Sequence, residues 1–501
     1  MKQQQEEVTE PARRPMRWVP LVAFVATLAV QFALVLTGPA NVGLAIVLVA
    51  VGMALVFAGL DSPIFAVTML LFSAFLRLAL PKAGLPSEPF VFAYLGVLLA
   101  TALAVTRRVN QIPKLGAVEV VMGLYLAWNI GSALAPHSLP ATLPSTGEDV
   151  AVWRFILTGT LMPFTLYLVG RFVFDRESVV RRLLWIILGL AGYSAAVSLL
   201  QFYGPAALVW PRYIVTAPEW PGRAVGVFNQ PVVNGLVLVI GFAVGLYLAA
   251  QPGEPMWRKV LSGGVAVASV PGIYLTHTRA VWLVFALVLV AGAVWARNFR
   301  VGFVVTLAAA VATVALDWST FTSSDRAAGG VASTNEVDDR LNIAATSIWA
   351  IEQKPIAGWG IGRFIQLNTY HHKQWSPEIK WERGYGIASH HNELGITAEL
   401  GVIGLVLWLA VVVLVGHRLF VALRTLPVAG LCGRGLALIA AMGFVSWLVT
   451  GQTVDLRYFE FLNALVMLLV GIAVGAAERS RGAPGTTGAP LGARPAVLAR
   501  T

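Results

Sequence analysis

PVVNGLVLVIGFAVGLYLAA, residues 231–250, contains no charged side chain. A membrane strand would alternate apolar and polar positions, and this run is continuous. As a helix, twenty such residues span about 30 Å, the thickness of a bilayer's hydrocarbon core. The pattern recurs in both directions along the chain. Apolar runs lie at roughly 18–37, 41–60, 63–80, 89–106, 117–134, 152–170, 183–203, 231–250, 260–276, 280–296, 301–316, 394–415, 435–450 and 456–476. Those at 63–80 and 260–276 are short or interrupted, by Pro63 and Pro271. The fold class is therefore all-α: a polytopic membrane protein of about 12–14 transmembrane helices.

Composition agrees. The chain is 57% hydrophobic and 12% charged, with mean hydropathy +0.74; soluble domains carry about 25% charged residues. The net charge of +11 would suggest nucleic acid in a soluble protein. Here Lys and Arg cluster in short loops, where they orient the helices and meet anionic membrane lipids, so no nucleic-acid partner is expected. The single cysteine, Cys432, excludes an internal disulfide and a cysteine metal cage.

Basic residues fall in every second loop: 107–116, 171–182, 251–259, 297–300, 416–434 and the tail after Arg479. That alternation predicts cytoplasmic termini, with Arg13, Arg14 and Arg17 preceding an uncleaved first helix. The loops at 81–88, 135–151, 204–230, 277–279, 317–393 and 451–455 then lie outside. The expected divisions are an N-terminal bundle (1–316), a long outer loop (317–393), C-terminal helices (394–478) and a flexible Gly/Ala/Pro-rich tail (479–501).

The long loop holds most of the polar chemistry. Between Asp338 and Lys354, apolar Leu341, Ala344, Ala345, Ile348 and Ile351 stand at helical spacing. This predicts an amphipathic helix on the membrane or over a cavity, capped by Asp338 or Asp339 and stopped by Pro355. Gly358-Trp359-Gly360-Ile361-Gly362 follows as a glycine-rich turn. With no strand before it, it is not a dinucleotide fingerprint, and it is weak grounds for phosphate binding. The loop closes on His390 and His391. Adjacent histidines rarely share one metal, and a histidine at a solvated membrane edge is more often bland than catalytic.

Two other outer segments carry arginine. Arg223 lies in GRAVGVFNQP (222–231), at the mouth of a helix, where it serves as an interfacial anchor or within a shaped binding turn. Arg279 lies in Thr276-His277-Thr278-Arg279, between two apolar runs. Arginine there is costly unless paired, with Glu219 or Asp455 as candidates, or functional. Thr276 and Thr278 flank it and could help hold an anion.

Taken together, GRAVGVFNQP, THTRAVW (276–282), KPIAGWGIG (354–362), His391-Asn392 and ELGVIG (399–404) resemble the O-antigen ligase and O-antigen polymerase superfamily. Each piece is weak; their order, spacing and shared side make the match. It covers roughly the second half of the chain. Thr278 stands where the family tends to have serine, and His390 beside His391 leaves the active histidine open by one residue. The resemblance implies a GT-C-like membrane glycosyltransferase with amphipathic helices in its periplasmic loop. It implies transfer of a glycan from an undecaprenyl-diphosphate donor to lipid A–core (ligase) or to another carrier-linked glycan (polymerase), at the outer face of the bacterial inner membrane. No cofactor and no metal are implied; Asp338-Asp339 could bind one, but a helix cap explains them more simply.

The implied roles fit the residue chemistry. Arg223, Arg279 and Arg340 would hold the diphosphate, for which the planar guanidinium fork is suited. A neutral His391, with His390 second, would take the proton of the acceptor hydroxyl. Thr278 and Asn392 would support them. The rival readings are a transporter of lipid-linked glycan, which would need charge inside the membrane, and a receptor or scaffold, which would not need arginines at helix mouths beside a histidine loop. Apart from Arg77 and Arg154, the apolar runs are read as nearly free of charge.

Overall fold

The computed structural model describes residues 63–79, 88–106, 115–144, 146–325, 329–381 and 386–482. The apolar runs at 18–37 and 41–60, the N-terminal arginines and the tail lie outside the described residues. Each of the other twelve runs becomes one helix, and among the described residues β structure is limited to an isolated bridge, Thr142 with Asp149. The chain is an all-α polytopic membrane protein. Eight described helices are long and apolar enough to cross a membrane, and three shorter apolar ones accompany them.

Two compact units divide at residue 112. In the first, α1 (Pro63–Phe75) and α2 (Pro89–Thr106) pack together, and Arg77 pairs with Glu88 at 3.4 Å. The second holds α3 (Ala117–Leu134), α4 (Val152–Val173), α5 (Glu177–Tyr203), α6 (Pro231–Ala249), α7 (Met256–Leu275), α8 (Arg279–Trp295) and α9 (Arg300–Leu316). It continues with α10 (Asn335–Gln353), α11 (Phe364–Tyr370), α12 (Asn392–Thr425), α13 (Arg434–Gly451) and α14 (Glu460–Gly482).

Helix α14 is buried along its apolar length and packs most closely on α4. Gly471 and Gly475 make that approach possible: a Cβ at either would collide with the carbonyl of Tyr167 or Arg171. This is the small-residue spacing by which membrane helices bring their backbones together. At one end of the bundle Arg171 pairs with Glu119 and Glu478, Arg418 with Glu478, and Arg181 with Glu254. The candidate site lies at the other end, where α4, α6, α8, α12 and α14 begin and α5, α7 and α13 finish.

Three sequence expectations change here. The apolar run at 456–476 does not start as a helix: Leu456–Tyr458 is a 3-10 turn carrying Arg457, and α14 starts at Glu460. A π turn in α4, Leu157–Leu161, makes room for it, with Thr158 Oγ1 donating to the Arg457 carbonyl at 3.2 Å. The loop helix α10 begins at Asn335 with Thr334 at its N-cap, so Asp338 and Asp339 do not cap it; Asp338 lies in its first turn, where a carboxylate favours the helix dipole.

Its register also differs. The buried face is Asp339, Asn342, Ile343, Thr346, Ser347 and Ala350, about one residue round from the expected stripe. Ile348 is 42% exposed, Leu341, Ala344 and Ala345 are half-buried, and of the predicted five Ile351 joins the loop's core. The polar face goes inward because the rest of the loop satisfies it. Asn342 accepts from the Trp375 amide and donates to the Ile379 carbonyl, and Thr346 Oγ1 accepts from the Lys373 amide at 3.0 Å. The loop is thus a packed body, with Ile343, Ala350, Trp359, Phe364 and Leu367 closing on Ala398 of α12.

Candidate functional site

The site is organised by a break in α12. Gly401 has φ +68°, and a Cβ there would collide with the Ile356 carbonyl. The break frees backbone groups, and the segment after α10 takes them. The Trp359 and Gly360 amides donate to the carbonyls of Ala398 and Glu399 at 2.9 and 2.8 Å, Trp128 Nε1 donates to Leu400, and the Val402 amide donates to Pro355. Gly358, at φ +71°, is needed because a Cβ would strike the Glu399 backbone. The glycine-rich turn therefore docks the loop onto a broken membrane helix and is not a phosphate cradle.

Inside the break sits a buried charge set that sequence reading missed. Arg457, 3% exposed, donates Nε and Nη2 to Asp455 at 2.9 and 2.6 Å and Nη1 to Glu399 at 2.7 Å. Its guanidinium also covers the Phe155 ring at 4.6 Å. Burial alone would lower its pKa; Asp455 and Glu399 reverse that and hold it well above the ordinary arginine value. Glu399 accepts the Phe364 amide with its second oxygen at 2.9 Å. The available signal was a Glu and an Arg placed inside runs otherwise read as apolar.

His391 is the N-cap of α12. Its Nδ1 faces two partners, the Leu394 amide at 3.3 Å and Glu393 Oε2 at 3.5 Å. The same Glu393 Oε2 accepts from Gln452 Nε2 at 2.9 Å, and its Oε1 accepts from Trp408 Nε1 at 3.5 Å. Ser389 Oγ fixes the turn, donating to the His391 carbonyl at 2.7 Å. His390 is half-buried beside it. Asn392 is 1% exposed, and its Oδ1 is buried without a hydrogen bond among the described residues.

The arginines gather at the far end of the loop. The Ala224 amide donates to the Leu275 carbonyl at 2.8 Å, and His277 Nδ1 meets the Gly222 carbonyl at 2.9 Å, so the Arg223 turn and the Arg279 corner are one structure. Arg223 pairs with Glu336 in the first turn of α10 and lies over Trp220 at 5.1 Å. Arg279 Nη1 donates to the carbonyls of Val331 and Ser333, at 2.9 and 3.0 Å, just before α10. Neither Glu219 nor Asp455 pairs with it, as Asp455 is committed to Arg457. Arg279 Nη2 is buried and has no hydrogen-bond partner among the described residues. Arg340 follows Glu336 by one helical turn, on the same face of α10. Thr278 Oγ1 donates to the Thr276 carbonyl at 2.8 Å, so its hydroxyl shapes the corner. Helix α10 packs along α12 and joins the arginine end to the histidine end, and Phe228 of the Arg223 turn meets Phe461 of α14 at 5.4 Å.

Arg279, Arg340, His390, His391 and Glu399 all fall within one stretch with a known relation. Residues 264–409 match the O-Antigen ligase family model. This stretch is similar to the O-antigen ligase family. The match supports a membrane glycosyltransferase of the O-antigen ligase or polymerase type, acting on lipid-linked glycan and a polysaccharide acceptor in general terms. Arg223, Asp455 and Arg457 lie outside the matched domain yet are bound to it, through Glu336 and Glu399. No curated protein matches the chain. Among the described residues no group of three or more His, Cys, Asp and Glu could hold a metal ion.

Proposed function

We propose that this protein is an O-antigen ligase that transfers a glycan from undecaprenyl diphosphate to lipid A–core at the periplasmic face of the inner membrane. The observation that carries the reading is Arg279: one guanidinium arm is held by two carbonyls, and the other is buried and unpartnered among the described residues. A buried, unsatisfied cationic donor is costly, and an anionic oxygen would satisfy it.

In this reading the acceptor hydroxyl attacks the anomeric carbon. The bond from that carbon to the phosphate oxygen breaks, and its electron pair leaves with the lipid diphosphate, where Arg279, Arg223 and Arg340 meet the developing charge. The hydroxyl proton passes to His391 Nε2. That role requires the proton of the neutral ring on Nδ1, turned toward Glu393, which makes Glu393 the positioning residue. The opposite tautomer, with Nδ1 accepting from Leu394, would leave Nε2 a donor and unable to act as base.

The test is the purified full chain in liposomes, given lipid-linked glycan and lipid A–core without any ion gradient. A capped core lipid supports the ligase; a ladder of lengthened lipid-linked chains replaces it with a polymerase; no product without a gradient returns the transporter reading. Because arginine meets the diphosphate charge, turnover should persist in excess chelator. A strict magnesium or manganese requirement would refute that part.

A further inference from the structure

A cavity opens at the opposite end of the bundle from the candidate site. It is a 1050 Å³ groove between α6, α8, α12 and α13. Along α8 its mouth is about 25 Å from Arg279, from the rise of a seventeen-residue helix. Its walls are apolar and open sideways: Leu287, Trp295, Phe420 and Val445 line it and are each 44–66% exposed. Its rim carries Arg297 from the α8–α9 corner, Arg424 near the end of α12 and Arg434 at the start of α13. Among the described residues no Asp or Glu lines it.

Three other arginines at this end are paired. Arg171, Arg181 and Arg418 each meet a glutamate there. Arg297, Arg424 and Arg434 are exposed and meet no carboxylate among the described residues; Arg424 rests on the Phe420 ring at 4.3 Å. Three uncompensated guanidinium groups from three elements, above an apolar groove open to the side, match a ligand with an anionic head and hydrocarbon chains.

We propose that this groove binds an anionic diacyl phospholipid, its phosphate on Arg297, Arg424 and Arg434 and its chains along α8 and α13. The inference rests on the membrane fold alone and stands apart from the transferase reading.

The test is native mass spectrometry of the full chain from mixed micelles of phosphatidylglycerol and phosphatidylcholine of equal chain length. The wild type should retain phosphatidylglycerol selectively. The triple variant Arg297→Gln/Arg424→Gln/Arg434→Gln should lose about tenfold or more of that retention. The control Arg176→Gln/Arg182→Gln/Lys259→Gln removes the same charge from the same end and should retain it. Ala291→Trp keeps the arginines, fills the groove and should also lose the lipid. Equal loss in both triples would reduce the effect to surface charge and overturn the proposal. Equal retention of the two lipids, or full retention by Ala291→Trp, would overturn it too.

Discussion

Arg457 and Arg279 both lie at the site end of the bundle, and they are partnered in opposite ways. Arg457 has three guanidinium nitrogens on two carboxylates, so a further anion arriving there would meet net negative charge. Arg279 has two neutral carbonyls on one nitrogen and, among the described residues, nothing on another, so its charge is held in place but not cancelled. The first ties the turn between α13 and α14 to α12; the second, in the proposed reading, receives an anion. In the proposed reading burial does not separate these two arginines, but the charge balance around each does.

The largest expected effect is at Arg457. Arg457→Leu leaves Glu399 and Asp455 facing each other without a counter-charge, and breaking such a buried set costs about 3–5 kcal/mol. A lower Tm and loss of monodisperse protein are expected, with partial recovery in Arg457→Leu/Glu399→Gln/Asp455→Asn. A soluble, fully stable but inactive Arg457→Leu would erase the contrast and move Arg457 into the chemistry.

Next is His391. Removing a general base costs about 100- to 10,000-fold in turnover, so His391→Ala should lose that much with Tm and donor affinity kept, and His390→Ala should be much milder. Glu393→Gln should lower turnover through His391 and distort the pH profile, because a neutral amide no longer favours the proton on Nδ1. Near-normal turnover in both histidine variants would point to Glu393 itself as the base.

Arg279→Lys keeps the charge and loses the fork. A loss of about 100- to 1000-fold in turnover is expected, as for one donor removed from a developing anion, with weaker donor binding and unchanged Tm. If the variant instead unfolds like Arg457→Leu, Arg279 belongs to the scaffold.

The smallest effect concerns the loop's packing in acid. Burial first, and then Lys373, lowers the pKa of His372 below 6.5, and burial likewise dominates the lowering at His137. The unfolded loop therefore takes up protons near pH 6.5 that the folded loop refuses. Loop stability should fall as pH drops through that value and level off below the lowered pKa. Hydrogen exchange at the Lys373 amide, corrected for intrinsic rate, should be faster at pH 5.5 than at pH 7.5. Unchanged protection would remove the histidines from the loop's stability.

The arginine end was the more legible half of the candidate site. Arg223, Arg279 and Arg340 stand out because charge is rare in this sequence, and the structure gathers Arg223 and Arg279 around the start of α10. Glu336, which pairs with Arg223, lies 113 residues from it and carries no local signal of the pair. Arg457 and Glu399 were hidden inside runs read as apolar, 58 residues apart. Ion-pair partners at such separation leave no local pattern.

The sequence by itself determined the membrane helices. Hydropathy is a local property, and twelve runs became twelve helices, several with matching ends, as at 89–106 and 117–134. It also marked the polar stretch before α12 as the place where water-compatible chemistry is concentrated. Tertiary structure alone decided the register of α10, because Asn342 and Thr346 are buried only where Ile379, Trp375 and Lys373 can satisfy them. It alone decided that the glycine-rich turn serves the break at Gly401, since that break is stable only when another segment takes the released backbone groups. And it alone decided which arginines are cancelled and which remain charged, because that balance is set by groups brought together from distant parts of the chain.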